Sequence, residues 1–116
     1  MANELSQSTC EACNADAYCL QEEEIQELLP QIPSWTVFEE ESIKRLICSF
    51  AFLTYEDSVK FTNKVAELAE KEDHHPEILL EWGKVTITWW SHKIQGLHNN
   101  DFICASKTDI LFKESQ

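Results

Sequence analysis

The sequence predicts an α+β fold, a four-stranded antiparallel sheet with three helices packed on one face, in the order α-β-β-α-β-β-α. Three observations carry this prediction. Two stretches, 43–52 and 84–90, alternate apolar and polar side chains with the period of half-buried strands. Three others, 25–32, 54–69 and 100–111, place apolar residues at helical spacing. The links between paired strands are short, which favours antiparallel neighbours over crossover connections.

Residues 1–19 are polar, begin without apolar periodicity and hold Asn, Ser and Thr, so a tail is expected ahead of one domain over 20–116. Ile25, Leu28, Leu29 and Ile32 mark the first helix, with Glu22, Glu23 and Glu24 in the turn where the helix dipole favours negative charge. Pro30 and Pro33 stop it. Trp35 to Glu39 and Ile43 to Phe52 read as strands of a hairpin, the second directing Leu46, Cys48, Phe50 and Phe52 to one face. Thr54 opens the second helix with Asp57 at capping-box distance, and Val59, Phe61, Val65, Ala66, Leu68 and Ala69 form a broad stripe that must lie on a sheet.

Pro76 ends the stretch holding His74 and His75, after which Ile78 to Trp82 reads as a strand and Gly83 as its turn. Lys84 to Trp90 alternates Val85, Ile87 and Trp89 against Lys84, Thr86, Thr88 and Trp90. A loop with Gly96 follows, and Asn99 or Asn100 is placed to cap a last helix carrying Phe102, Ile103, Ala105, Ile110 and Leu111.

A length of 116 residues supports one compact core. With 43% hydrophobic and 26% charged residues, 2 Gly and 3 Pro, the composition is that of a folded globular chain. The formal net charge of −12 repels phosphate backbones and anionic lipid headgroups, so nucleic acid and membrane surfaces are poor partners. No apolar run approaches the roughly 20 residues of a spanning helix, and no basic region precedes an apolar stretch at the N-terminus. A cytoplasmic protein is expected. The odd set of five cysteines, Cys10, Cys13, Cys19, Cys48 and Cys104, does not suit a disulfide framework and reads as reduced thiols.

The strongest chemical signal is the grouping of three of the four histidines where loops meet elements: His74 and His75 before Pro76, and His92 after the strand ending at Trp90. In an antiparallel hairpin the start of one strand lies beside the end of its partner, so His92 is brought toward His74 and His75. Imidazoles donate and accept protons near neutral pH, as loss of water from a substrate requires. Glu70, Glu72, Asp73 and Asp101 are near enough in sequence to fix their tautomers.

Other readings stay open. An adjacent His-His pair before Pro also serves as a plain loop or helix cap. His74, His75 and His92 with Asp101 would suit zinc, although the helical pair of histidines four apart found in many zinc enzymes is missing. Cys10 and Cys13 form a Cys-x-x-Cys without a second copy, and a reduced pair in a tail is the simpler reading. Trp89 faces the core with Val85 and Ile87, whereas Trp35, Trp82 and Trp90 are candidates for a flat wall against an aromatic ligand.

Glu70, three residues, His74-His75-Pro76, five residues, Trp82, nine residues, His92, eight residues and Asp101 form a long pattern that closely resembles the signature of the pterin-4a-carbinolamine dehydratases. The similarity runs from about Leu20 to Leu111 and takes in Leu28-Leu29-Pro30, Trp35, Phe61, Gly96-Leu97 and Asp101-Phe102. The resemblance implies the same α+β fold, a homo-oligomer (dimer or tetramer), a pterin substrate, no metal or organic cofactor, and a functional link to phenylalanine hydroxylase. It implies that His74, His75 and His92 are catalytic and that Pro76 shapes their loop. Glu70 and Asp101 correspond to supporting acids, Asp73, Trp90 and Ser91 to positions lining the pterin pocket, and Trp35 to an aromatic near it. Ile78 and Asn100 depart from many animal members, which carry an aromatic and a basic residue there. The segment with Cys10 and Cys13 is similar to an extension in some bacterial members. A second role of animal members with a homeodomain transcription factor has no support in so acidic a sequence.

Overall fold

The computed structural model describes Leu5 and residues 19–116. Cys10 and Cys13, with the rest of the expected tail apart from Leu5 and Cys19, lie outside the described residues.

Helix α1, Glu22–Leu28, starts where the backbone N–H of Gln21 donates to Glu24 Oε1 at 2.9 Å. The periodicity that predicts a helix through Ile32 continues only as a 3-10 turn over Leu29–Gln31, because Pro30 lacks the amide that the α pattern needs. Strand β1 covers Thr36–Glu40 and β2 covers Ile43–Ala51, joined through Glu41 and Ser42, both at positive φ (54° and 65°) as a tight two-residue hairpin requires. Helix α2, Tyr55–Glu72, begins on the predicted cap, the Thr54 hydroxyl accepting from Asp57 N at 3.0 Å. Strands β3, Glu77–Glu81, and β4, Lys84–Trp89, turn through Gly83 at φ 72°. Helix α3 spans Asn99–Glu114.

The four strands form one antiparallel sheet in the order β1-β2-β4-β3. Leu46, Cys48 and Phe50 of β2 and Val85, Ile87 and Trp89 of β4 alternate onto one face and are buried with Phe61, Val65 and Ala69 of α2 and Phe102 to Ala105 of α3. Phe50, Phe52, Phe61 and Phe112 make a connected aromatic group with centroids 4.9 to 5.9 Å apart. Burying side chains of this size removes about 1.5–3 kcal/mol of apolar exposure each, and that clamps the helices to the sheet. Leu5 joins the same core.

The β3–β4 register pairs Glu77 with Thr88. The chain entering β3 and the chain leaving β4 therefore share one end of the sheet, as the hairpin prediction requires.

Candidate active site

The C-terminus of α2 sets the first two imidazoles. Asp73 takes the left-handed conformation (φ 52°), its N–H bonds Glu70 O at 3.3 Å, and His74 N bonds Ala69 O at 3.1 Å. This is a Schellman ending with Asp in the place that glycine usually fills, and Pro76 three residues later prevents the helix from resuming. His74 is thereby thrown inward and His75 outward: His74 is 3% exposed, whereas the His75 side chain is 55% exposed.

Each imidazole is tied through Nε2. His74 Nε2 lies 2.6 Å from Asp101 Oδ1, His75 Nε2 lies 2.5 Å from Glu70 Oε2, and His92 Nε2 lies 3.2 Å from the backbone carbonyl of His75. Carboxylate and carbonyl oxygens accept, so Nε2–H donates in all three rings and Nδ1 is the acceptor nitrogen of each neutral imidazole. The His75–His92 link also joins the two histidine segments directly.

Asp101 is the hub. Its side chain is fully buried in the first turn of α3, where the dipole suits a carboxylate, and its Oδ2 accepts from Ser91 Oγ and His98 N, both at 2.9 Å. The helix cap is His98 rather than Asn99 or Asn100: His98 Nδ1 accepts from Asn100 N at 3.0 Å, and Asp101 closes the capping box. An imidazole nitrogen serves as well as an amide oxygen here, and the spacing of His98 to Asp101 was the signal for it. His74 also stacks on Trp89, with centroids 5.5 Å apart and planes 11° apart, while Trp89 Nε1 is anchored to Thr108 Oγ1 of α3.

Asp73, His74, His75, His92 and Lys93 line a cavity of about 390 Å³. Sequence reasoning passed over Lys93. Around these residues stand Glu70 behind His75, Asp101 and Ser91 behind His74, and Trp90, whose ring centroid is 4.3 Å from that of His92. Pro76 stands between the pair and the start of β3 at Glu77. The structure does not bring Trp35 to the imidazoles. Its indole is buried against Phe50 and donates from Nε1 to Asp109 at 2.9 Å. Trp82 is likewise apart, 74% exposed at the other end of the β3–β4 hairpin.

A larger cavity, about 670 Å³, lies between β2 and α3 beside Leu5, Cys48 and Asp109 and holds no histidine. Burial raises the Asp109 carboxyl above its ordinary range, partly offset by the Trp35 hydrogen bond, and burial pushes the Cys48 thiol up to about 11. A thiol held near 11 is a poor proton carrier at neutral pH. The smaller cavity, with its three imidazoles, is the better candidate for acid-base chemistry.

Among the described residues no group of three His, Cys, Asp or Glu side chains is arranged to hold a metal ion. Cys19 and Cys48 are free thiols. No helix among the described residues is long and apolar enough to cross a membrane.

Comparison with known proteins identifies the family and supports the fold. The family model described as Pterin 4 alpha carbinolamine dehydratase matches residues 19–111. A Nitrosococcus oceani protein with the provisional name pterin-4-alpha-carbinolamine dehydratase is 53% identical over 110 residues, 95% of this chain and 97% of its own. A Vibrio vulnificus protein with the same provisional name is 51% identical, covering 94% of this chain and 99% of its own. Among solved structures, a transcriptional coactivator/pterin dehydratase from Brucella melitensis superposes with a TM-score of 0.73 at 28% identity, over 81% of this chain and 98% of its own. A pterin dehydratase-like protein described as a RuBisCO assembly factor of the alpha-carboxysome gives 0.58 at 25% identity, over 67% of this chain and 88% of its own.

Proposed function

The chain belongs to the pterin-4a-carbinolamine dehydratase family, and on that footing we propose that it removes water from a 4a-hydroxytetrahydropterin to give the quinonoid dihydropterin. One observation carries the reading: three imidazoles from two chain segments meet around one cavity of about 390 Å³, each with Nε2 bound to the protein. A cavity of that size matches a flat bicyclic ligand.

In the proposed reaction His75 takes the proton from the ring nitrogen through Nδ1. His74 or His92, entering as the imidazolium with a second proton on Nδ1, protonates the departing 4a-hydroxyl, so that the C–O bond breaks with water as the leaving group. The proton left on His75 returns through solvent to reset the pair. Glu70, Asp101 and Ser91 act by holding His75 and His74, and Trp90 by packing on His92. Asp73 is proposed to meet the substrate directly, and Pro76 to keep the histidine loop extended. The labile hydroxyl belongs to the substrate, so the reading calls for no metal or organic cofactor.

The biological setting is proposed with it. The product is the oxidised form of a spent hydroxylase cofactor, so the natural supplier of substrate is a pterin-dependent aromatic amino acid hydroxylase such as phenylalanine hydroxylase, in the same cytoplasm. A homo-oligomer, dimer or tetramer, is favoured by the sheet. The β1 pairing ends at Thr36 with Ile47, which leaves Cys48 to Ala51 of β2 without a strand on that side among the described residues.

The test is dehydration of hydroxylase-generated carbinolamine by wild type, His75→Ala and His92→Ala. Loss of about 10² to 10⁴ in rate in each variant is expected of general acid-base groups. Wild-type rates in both would remove the assignment.

A further inference from the structure

We propose that Arg45 is a positioning residue of this site: its guanidinium, the Trp90 indole and the His92 imidazole form one stack that fixes the direction of His92. The inference rests on the dehydratase reading of the cavity.

Strand pairing brings Arg45 to the site. Leu46 is registered with Trp89, so the next positions outward on each strand, Arg45 and Trp90, face each other on the opposite side of the sheet from the helices. There Arg45 Cζ lies 4.1 Å from the centroid of the Trp90 ring, and the same indole lies 4.3 Å from the His92 ring at 37°.

Arg45 has one other polar contact among the described residues. It is only 8% exposed, and its Nε is buried without an acceptor. One terminal nitrogen reaches the Glu40 carbonyl at a long 3.4 Å. Its neighbour Lys44 pairs with Glu22 at 2.7 Å, but no carboxylate pairs with Arg45 among the described residues, in a chain with 21 acids. A buried cation left without a counter-ion is costly, and the indole face is the interaction that it does gain.

His92 needs that support. It sits in an exposed loop, and among the described residues its ring has one hydrogen bond, 3.2 Å long, to the His75 carbonyl. One bond leaves the ring free to swing about it, which would scatter the direction of Nδ1. The indole is the second constraint, and Arg45 pins the indole. Misplacing a catalytic group by about 1 Å costs up to about 10² in rate.

The experiment compares wild type, Arg45→Met, Arg45→Lys, Trp90→Leu and the Met–Leu double variant in steady-state dehydration and thermal melting, and follows the His92 ring protons by NMR. Arg45→Met should lower kcat about tenfold with KM within about twofold of wild type and melting unchanged, since Met fills the same space. Arg45→Lys should restore most of the loss, because an ammonium also sits over an indole. The double variant should be no worse than Trp90→Leu alone, as two parts of one device require. Wild-type kcat in Arg45→Met, additive losses in the double variant, or a loss that Arg45→Lys does not recover would each overturn the proposal.

Wild type that turns over no carbinolamine would sink the dehydratase reading instead. The ring protons still decide the stack in that case. In wild type the Trp90 ring current should shift them, given rings 4.3 Å apart. Movement toward free-imidazole positions in Arg45→Met supports the stack, and an unchanged spectrum overturns it.

Discussion

His74 and Asp101, 27 residues apart in sequence, meet through a 2.6 Å hydrogen bond between side chains that are 3% and 0% exposed. Both oxygens of the carboxylate are engaged, because Ser91 Oγ and His98 N donate to the other one. In Asp101→Asn one of the two side-chain atoms becomes an N–H donor and faces another donor. A stability loss of about 1–3 kcal/mol is expected, from one buried donor left without an acceptor. Turnover should fall by about 10² as His74 loses its tautomer lock. Urea titration and the dehydration assay measure the two effects separately.

Glu70 and His75 make the contrasting pair. The bond is short at 2.5 Å, but the two side chains are 80% and 55% exposed, so solvent and salt weaken it. Exposed ion pairs contribute about 0–1 kcal/mol. Glu70→Gln, which keeps an acceptor oxygen, should therefore cost less than about fivefold in kcat. Its deficit should shrink further in added salt, which kcat measured against ionic strength would reveal.

Cys48 predicts an alkaline limb of stability. Burial, followed by the Asp109 charge, raises the thiol from 9.0 to about 11. The folded protein therefore keeps the thiol proton when the unfolded chain begins to lose it. The stabilisation is fully present below pH 9.0 and is lost as pH rises toward about 11. Its size is at most about 2–3 kcal/mol. The difference in unfolding free energy between wild type and Cys48→Ala should narrow across that window, whatever the cavity cost of the alanine.

Gly83 provides a control remote from the imidazoles. At φ 72° a side chain is strained, and a Cβ would stand 3.2 Å from the Phe52 carbonyl oxygen. Gly83→Ala should lower stability by about 1–2 kcal/mol and leave kcat unchanged, because the turn is at the far end of β3 and β4. A drop in kcat at a temperature where the variant is fully folded would count against that separation.

Much of the fold was legible because its signals are local. Period-two alternation marks β2 and β4, Thr54 and Asp57 mark the start of α2, and Gly83 marks the turn. Strand order was not, since β1-β2-β4-β3 depends on which edges meet after the helices pack. At the site, His74, His75 and His92 could be grouped from the hairpin alone. Arg45 could not, because a cation in an alternating strand reads as a solvated side chain until the opposite strand supplies Trp90. Trp35 went the other way: an aromatic beside a strand offers no sign of whether it meets a ligand or, as here, Asp109.

The pairing of Glu77 with Thr88 makes the spacing between the two histidine segments a matter of strand alignment rather than of loop shape. Ile78 and Leu80 are half-buried opposite Ile87 and Val85, and sliding β3 by a single step would turn both toward water. The same step would carry His75 about 3.3 Å along the sheet edge, beyond the reach of the His92 ring that now bonds its carbonyl. Two greasy side chains that do not line the cavity thus act as the gauge of the gap between the histidine segments, and polar replacements there would blur it before they melted the protein.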